Sequence, residues 1–93
     1  MRIDKEKIKT ICQQNDIASM AVFGSFARGD AKKTSDLDLL VKFSKTKSLL
    51  ELIKIERKLQ KIFGRKIDLL TPAAISPYIF PFIKQDLKVI YEA

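Results

Sequence analysis

Apolar residues in this 93-residue chain recur first with helical spacing and then with the alternating spacing of a strand. Asp4 can cap a first helix that extends to about Asn15, with apolar positions three to four residues apart. That face carries Ile8, Ile11 and Cys12. The run IASMAVF then predicts a strand over residues 17–23, which ends at the turn Gly24-Ser25.

The spacing changes again after this turn. Residues 26–28, FAR, predict the first turn of a short helix, which Gly29 interrupts. Residues 35–43, SDLDLLVKF, alternate in polarity and predict a strand with Asp36 and Asp38 on one face. The opposite face carries Leu37, Leu39, Val41 and Phe43.

The rest of the chain predicts two more helices and two more strands. The longest helix covers residues 48–63, and Gly64 is a suitable C-terminal stop. Its helical repeat is made by Leu49, Leu52, Ile53, Glu56, Leu59 and Phe63. A third strand is predicted over residues 66–71, a last helix begins at Ser76-Pro77, and the run KVIY predicts a final strand over residues 88–91.

These elements predict one α/β domain of the α+β type over residues 1–93, in the order α-β-α-β-α-β-α-β. We expect the helices to pack on one main face of a small sheet, whose strand order the pattern does not give. No apolar run reaches the roughly 18–20 residues of a membrane span. The first ten residues lack the apolar core of a signal peptide.

Composition excludes several kinds of chemistry. The chain has no histidine, which excludes Ser-His-Asp catalysis and His-ligated zinc. Its single cysteine, Cys12, cannot form an internal disulfide and is expected to be a core residue of a cytoplasmic protein. The net charge of +7 favours an anionic partner: a nucleotide, a nucleic acid or an acidic protein. Nucleic acid is the least favoured of these, because the lysines are scattered and form no stripe interleaved with aromatic residues.

Two aspartates one residue apart are the first candidate for a site. In a strand, Asp36 and Asp38 project from the same face about 7 Å apart, and their carboxylates can converge on one cation. Unscreened at about 4 Å, two such charges would repel by roughly 4 kcal/mol at an effective dielectric near 20. Mg²⁺ suits carboxylate oxygens and leaves positions open for phosphate and water. The alternative for an isolated D-x-D is that Asp36 caps a turn and Asp38 lies at an exposed edge.

The turn after the first strand is the second candidate. Glycine at position 24 lets the backbone approach a ligand closely, and the amides at the start of a helix attract phosphate. Ser25 adds a hydroxyl donor, and Arg28 could reach a phosphate or an aspartate from one helical turn further on. The alternative is that Ser25 only caps its own helix. Taken together, the Gly24-Ser25 turn and the D-x-D pair predict two elements of one site. The turn would hold phosphates, and the two aspartates would hold a metal ion.

A third carboxylate lies in the otherwise apolar strand KIDLLT. A charged residue such as Asp68 is uncommon in this setting. If this strand pairs with the strand of Asp38, Asp68 could take a proton from an attacking hydroxyl or complete a second metal site. The alternative is a salt bridge to Lys66 or Arg65.

With these positions together, the chain resembles the nucleotidyltransferase superfamily of DNA polymerase beta. The string GSFARGDAKKTSDLDLLVKF is similar to its small prokaryotic branch, the minimal nucleotidyltransferases, and the resemblance extends over nearly the whole chain. It implies the nucleotidyltransferase fold, a small mixed sheet flanked by helices. It also implies transfer of AMP from ATP to a hydroxyl, with release of pyrophosphate.

The resemblance also implies the roles of the site residues. Gly24, Ser25 and Arg28 would bind the nucleotide. The catalytic and metal-binding positions would be Asp36, Asp38 and Asp68. The first two would bind Mg²⁺, and the third would activate the acceptor or bind a second ion.

Members of this branch are similar to antitoxins that are paired with a HEPN-domain toxin. Such an antitoxin silences its toxin by adding AMP to a tyrosine of the toxin. The expected partners are therefore ATP and a HEPN-domain toxin. We expect no association with a membrane. Larger relatives carry a second domain that selects the acceptor. This chain is expected to leave that task to its partner.

Two other functions stay open. The chain could be a non-catalytic antitoxin that neutralises its partner by binding, or it could bind nucleic acid with salt-sensitive affinity. The segment YIFPF, residues 78–82, offers more apolar surface than a short helix usually buries, and Phe80 is a candidate for an interface or for the core.

Overall fold

The computed structural model describes residues 4–24, 29 and 36–93, which form a four-stranded sheet with helices. The strands are β1 (Ile17–Phe23), β2 (Leu37–Phe43), β3 (Ile67–Leu70) and β4 (Lys88–Glu92). They lie in the order β3-β2-β1-β4. Strand β2 pairs in parallel with β3 and antiparallel with β1, and β1 pairs antiparallel with β4. The predicted mixed α/β class is confirmed.

Three α-helices accompany these strands in the described part of the chain. They are α1 (Lys5–Gln14), α2 (Leu49–Phe63) and α3 (Phe80–Gln85), and a 3₁₀ turn covers Pro72–Ala74. Helix α1 begins as predicted, because the Asp4 carboxylate accepts hydrogen bonds from the backbone N–H groups of Glu6 and Lys7 at 3.1 and 3.2 Å.

Helix α2 has a start signal at its N-terminal end and a stop signal at its C-terminal end. At the start, Ser48 and Glu51 form a capping box, in which each side chain bonds the other residue's backbone N–H. At the end, Gly64 adopts the left-handed conformation with φ of 68°. The predicted range of this helix is confirmed to within one residue.

The core lies between one face of the sheet and the helices α1 and α2, as predicted. It consists of Ile8, Ile11, Cys12, Ile17, Met20, Val22, Leu37, Leu39, Val41, Ile55, Leu59 and Ile67. Cys12 is fully buried there, and this burial raises the pKa of its thiol to about 12. The thiol therefore stays protonated at neutral pH, which agrees with a core role and not with a nucleophile.

The predicted apolar face of α2 was partly wrong. Ile55 and Leu59 are buried against the sheet, whereas Leu49 is 74% exposed and Ile53 is 38% exposed. The helix carries apolar residues on more than one side, and a periodicity alone cannot tell which side meets the sheet. Leu49, Leu50 and Ile53 thus form an exposed apolar cluster at the start of the helix.

The predicted start of the last helix was also wrong, because α3 begins at Phe80 and not at Ser76-Pro77. Residues 77–79 form a turn in which the Ser76 carbonyl accepts bonds from the N–H groups of Ile79 and Phe80, both at 3.0 Å. Pro81 explains the later start, since proline is tolerated in the first turn of a helix but not further inside it.

The remaining differences are small. The strand predicted over residues 35–43 begins at Leu37, the strand predicted over 66–71 covers Ile67–Leu70, and the final strand extends one residue further, to Glu92. The helical turn predicted over residues 26–28 lies outside the described residues. No helix in the part of the chain that the structure describes has the length and apolar composition needed to cross a bilayer.

Candidate active site

Two of the predicted catalytic residues are neighbours across the parallel pair of strands. Asp38 of β2 lies in register with Asp68 of β3. Adjacent strands are about 4.8 Å apart, so the two side chains leave the sheet side by side. The condition stated from the sequence, that the strand of Asp68 must pair with that of Asp38, is met.

Both aspartates lie on the sheet face that α1 and α2 do not cover. Their neighbours in the same strands, Leu37, Leu39 and Ile67, are buried in the core on the opposite face. By alternation, Asp38 and Asp68 point away from that core, and Asp68 is exposed while Asp38 is half-buried. Water screens part of the repulsion between the two carboxylates at this exposure.

Gly24 places the end of β1 against the Asp38 carboxylate. Phe23, the last residue of β1, is the antiparallel register partner of Asp38, and Gly24 follows with a φ of 74°. A Cβ at position 24 would overlap Asp38 Oδ2 and lie 3.3 Å from Asp38 Cγ. Glycine is required here both for its left-handed backbone and for the space that the carboxylate occupies.

The other predicted site residues are placed less completely. Asp36 immediately precedes β2 and is exposed, two residues from Asp38. Because β2 begins only at Leu37, the face that Asp36 would share with Asp38 stays a prediction. Ser25 and Arg28 lie outside the described residues, and their roles in nucleotide binding stay predictions.

The carboxylates fit a hard cation by their chemistry. Residues 4–24, 29 and 36–93 contain no cluster of three or more acidic or cysteine side chains arranged to enclose a metal ion. Mg²⁺ does not need such a cage, because it is usually bound by one or two carboxylates together with substrate phosphates and water. The pair Asp38 and Asp68 is a donor set of that kind.

The structural alternative for Asp68 finds no support. Within the described part of the chain, no ion pair joins Asp68 to Lys66 or Arg65. Among the described residues, Lys47 contacts Asp16 at 2.8 Å and Glu51 at 3.5 Å. The Lys47 ammonium holds the pKa of Asp16 below its usual value through a hydrogen bond.

The structure contains a depression beside Gly24 that the sequence patterns did not predict. It has a volume of about 350 Å³ and is lined by Phe23, Gly24, Ile79, Phe82, Ile83 and Asp86. Helix α3 therefore reaches the same end of the sheet as the aspartates, although 36 residues, 44–79, separate it from β2 in the chain. The apolar run YIFPF was the only signal in the sequence that could have pointed to this wall.

Comparison with known proteins agrees with the fold. The nucleotidyltransferase domain family matches residues 5–90. A protein of Methanocaldococcus jannaschii, provisionally named a protein adenylyltransferase, is 41% identical over 87 residues, which are 92% of this chain and 82% of that protein. Protein adenylyltransferase MntA of Thermococcus cleftensis is 36% identical over 67 residues, which are 72% of this chain and 68% of MntA.

Two crystallised toxin–antitoxin complexes contain the same fold. A complex with AMP-PNP superposes with a TM-score of 0.80 at 19% identity, over 98% of this chain and 75% of the matched one. The tri-AMPylated HEPN toxin of Shewanella oneidensis in complex with MNT antitoxin gives a TM-score of 0.70 at 18% identity, over 96% and 70%. At these identities the likeness concerns the fold.

The paired aspartates, the glycine turn and these matches define an enzyme that transfers nucleotidyl groups. The chain belongs to the nucleotidyltransferase domain family. Its relatives include proteins named for protein adenylylation, and the predicted resemblance to the minimal nucleotidyltransferases is confirmed.

Proposed function

We propose that this chain is a Mg²⁺-dependent protein adenylyltransferase that acts as an antitoxin, transferring AMP from ATP to a hydroxyl of a HEPN-domain toxin, expected to be a tyrosine. One observation carries the proposal. Asp38 and Asp68 lie in register on the face of the sheet opposite the core, beside a turn whose glycine leaves room for the Asp38 carboxylate. The proposed reaction takes place in the cytoplasm, where ATP is available.

The proposed roles follow from position. Asp36 and Asp38 would hold Mg²⁺, and Asp68 would activate the acceptor or hold a second ion. When bound, Mg²⁺ would neutralise charge on the phosphates and on the attacking and leaving oxygens. Gly24, Ser25 and Arg28 would bind the triphosphate. Nucleotide binding is supported by the AMP-PNP present in the matched toxin–antitoxin complex.

The transfer itself is a substitution at the α-phosphorus. The acceptor oxygen forms a bond to this phosphorus, and the bond from phosphorus to the bridging oxygen of the β-phosphate breaks, so that pyrophosphate leaves. Asp68 would accept the proton of the acceptor hydroxyl, because its exposed carboxylate faces the open side of the sheet next to Asp38.

A HEPN-domain toxin is the acceptor that the comparisons favour. The matched complex from Shewanella oneidensis pairs an MNT antitoxin with a HEPN toxin that carries AMP. The net charge of +7 also favours an acidic partner over a neutral one.

The test is the intact mass of a HEPN-domain protein encoded beside this chain, after incubation with the chain, ATP and Mg²⁺. We expect a gain of one or more AMP units, and peptide mapping should locate it on tyrosine. The gain should vanish with EDTA and in Asp36→Asn/Asp38→Asn. Asp4→Asn/Glu6→Gln, which changes two acidic residues at the start of α1, should leave it unchanged.

Two results would overturn the proposal. Transfer by the Asp36→Asn/Asp38→Asn variant would remove the aspartates from the chemistry. A stable complex without any gain in mass would instead indicate an antitoxin that neutralises by occlusion. GTP, CTP and UTP in parallel reactions would identify the preferred nucleotide.

A further inference from the structure

Large apolar side chains are exposed around the start of helix α3. Tyr78 is 87% exposed, Ile79 is 55% exposed and Phe82 is 69% exposed. Together these residues leave on the order of 400 Å² of mostly apolar surface open. This area is within the roughly 300–600 Å² of the largest patch on a typical monomer, and such patches often bind another molecule. We refer to Tyr78, Ile79 and Phe82 as the aromatic patch.

These three side chains lie outside the hydrophobic core. Helix α3 is only six residues long and contains no buried residue. A helix of this length has little intrinsic stability and normally depends on burying one face. An apolar surface left uncovered on such a helix indicates that another molecule covers it.

The aromatic patch begins at the wall of the candidate active site. Ile79 and Phe82 line the depression that also contains Phe23 and Gly24. Gly24 in turn lies against the Asp38 carboxylate. A protein that offers a hydroxyl to Asp38 and Asp68 can therefore rest on this patch at the same time.

The surroundings of the patch have the character of a protein interface. Lys84, two residues after Phe82 in the same helix, and Lys88, the first residue of β4, are exposed, whereas Asp86 between them is half-buried, so the exposed charges that follow Phe82 in the chain are basic. Interfaces commonly have an aromatic centre and a charged, hydrated rim. The complementary surface would be apolar with acidic groups at its edge.

We propose that the aromatic patch is the docking surface for the acceptor protein, which would seat an apolar, acid-rimmed face on Tyr78, Ile79 and Phe82 and so present its hydroxyl to the aspartates. This inference rests on the proposed function. A second copy of this chain is a weaker occupant, because it would cover the approach to the site. A small acceptor would not need so wide an apolar surface.

The exposed cluster of Leu49, Leu50 and Ile53 provides a matched control. It is comparably apolar, with Leu49 74% and Leu50 63% exposed. It lies beyond the C-terminal end of β2, whereas Asp38 is near the N-terminal end, roughly 16 Å away along the strand. An acceptor bound over the aspartates is not expected to touch it.

The experiment compares wild type, Tyr78→Ser/Phe82→Ser and Leu49→Ser/Leu50→Ser, with the neighbouring HEPN-domain protein as the probe. Three quantities are measured: the Kd of the complex, the kcat and KM for AMP transfer, and the Kd for AMP-PNP with Mg²⁺. We expect Tyr78→Ser/Phe82→Ser to raise the Kd and the KM for the acceptor about 10- to 30-fold, as the loss of a central interface anchor does. Its kcat and AMP-PNP affinity should stay within about twofold, and Leu49→Ser/Leu50→Ser should match wild type.

The outcomes separate the docking surface from the proposed function. Wild-type Kd and KM in Tyr78→Ser/Phe82→Ser would overturn the docking surface and leave the adenylyltransferase intact. If wild type binds the probe tightly, Tyr78→Ser/Phe82→Ser does not, and neither transfers AMP, the proposed function would be overturned and the docking surface retained. A wild-type chain that neither binds nor modifies the probe would overturn both. A fall in melting temperature or AMP-PNP affinity confined to the patch variant would assign the patch a structural role and overturn the proposal.

Discussion

The two faces of strands β2 and β3 differ most where Asp38 and Asp68 lie, although both faces are built from alternating residues of the same segments. One face carries Leu37, Leu39 and Ile67, which are buried under α1 and α2. The other face carries Asp38 and Asp68, which are paired in register across the two strands. Helices α1 and α2 do not cover this face. The comparison teaches that stability and chemistry can be changed separately here, since a substitution on one face alters few contacts of the other.

The largest effect is expected on the buried face. Leu39→Ala should lower the free energy of unfolding by about 2–5 kcal/mol, because it removes a fully buried side chain and leaves a cavity. Urea denaturation followed by circular dichroism measures this as a lower midpoint with an unchanged slope. Leu49→Ala, at an exposed position, should change the free energy by less than about 0.5 kcal/mol. Equal losses in both variants would contradict the assignment of the two surfaces.

On the open face, Asp68→Asn should show the reverse pattern. The rate of AMP transfer should fall at least roughly 100-fold, since even residues behind a metal ligand contribute 10- to 100-fold. The free energy of unfolding should stay constant or rise by up to about 1 kcal/mol, because like charges directly opposite each other destabilise a sheet. Asp4→Asn removes an exposed carboxylate while keeping a helix cap and should alter neither quantity. An active Asp68→Asn enzyme would separate Asp68 from the reaction.

Gly24→Ala tests the contact that joins the turn to the open face. Alanine at a φ of 74° should cost about 1–2 kcal/mol, and its Cβ should displace the Asp38 carboxylate. Such a displacement should slow transfer by roughly 10- to 100-fold.

Gly64→Ala is the matched control for this change. Gly64 has a similar φ of 68° but has no atom within 4 Å of its ideal Cβ position. The variant should lose a similar amount of stability and keep full activity. If the two alanine variants were equally active, the close approach of Gly24 to Asp38 would have no role in catalysis.

The smallest effect concerns a carboxylate with a structural partner. Lys47 lowers the pKa of Asp16 through a hydrogen bond at 2.8 Å. A lowered folded-state pKa contributes stability above the unfolded-state value of about 3.9, and this contribution is lost as the pH falls through the folded-state value. Wild type should therefore melt above Asp16→Asn at pH 7, and the difference should shrink towards pH 2.5. A difference that stays constant over this range would rule out the ion pair as its source.

Much of the fold followed from the spacing of apolar residues. The strand over residues 17–23 was predicted with its observed bounds, and the long helix to within one residue, because Ser48 and Gly64 are strong local signals. The start of α3 was misplaced, since Ser76-Pro77 and Pro81 offer two competing start signals and the pattern does not rank them. Residues of the candidate site were predicted as types and spacings, and Ser25 and Arg28 stay predictions.

The sequence by itself determined that Asp38 would leave β2 on the side opposite Leu37 and Leu39, because alternation along a strand is a local property of the backbone. It also pointed to the nucleotidyltransferase family through four separated positions.

Only the tertiary structure decided which elements meet. The parallel pairing of β2 with β3 places Asp38 beside Asp68, and the antiparallel pairing of β1 with β2 places Gly24 against Asp38. Because of the way α2 packs, Ile55 is buried in the core and Ile53 is exposed. The position of α3 places Phe82 in the wall of the depression beside Gly24. These contacts join residues far apart in the chain, and their energies depend on burial and register that no local pattern contains.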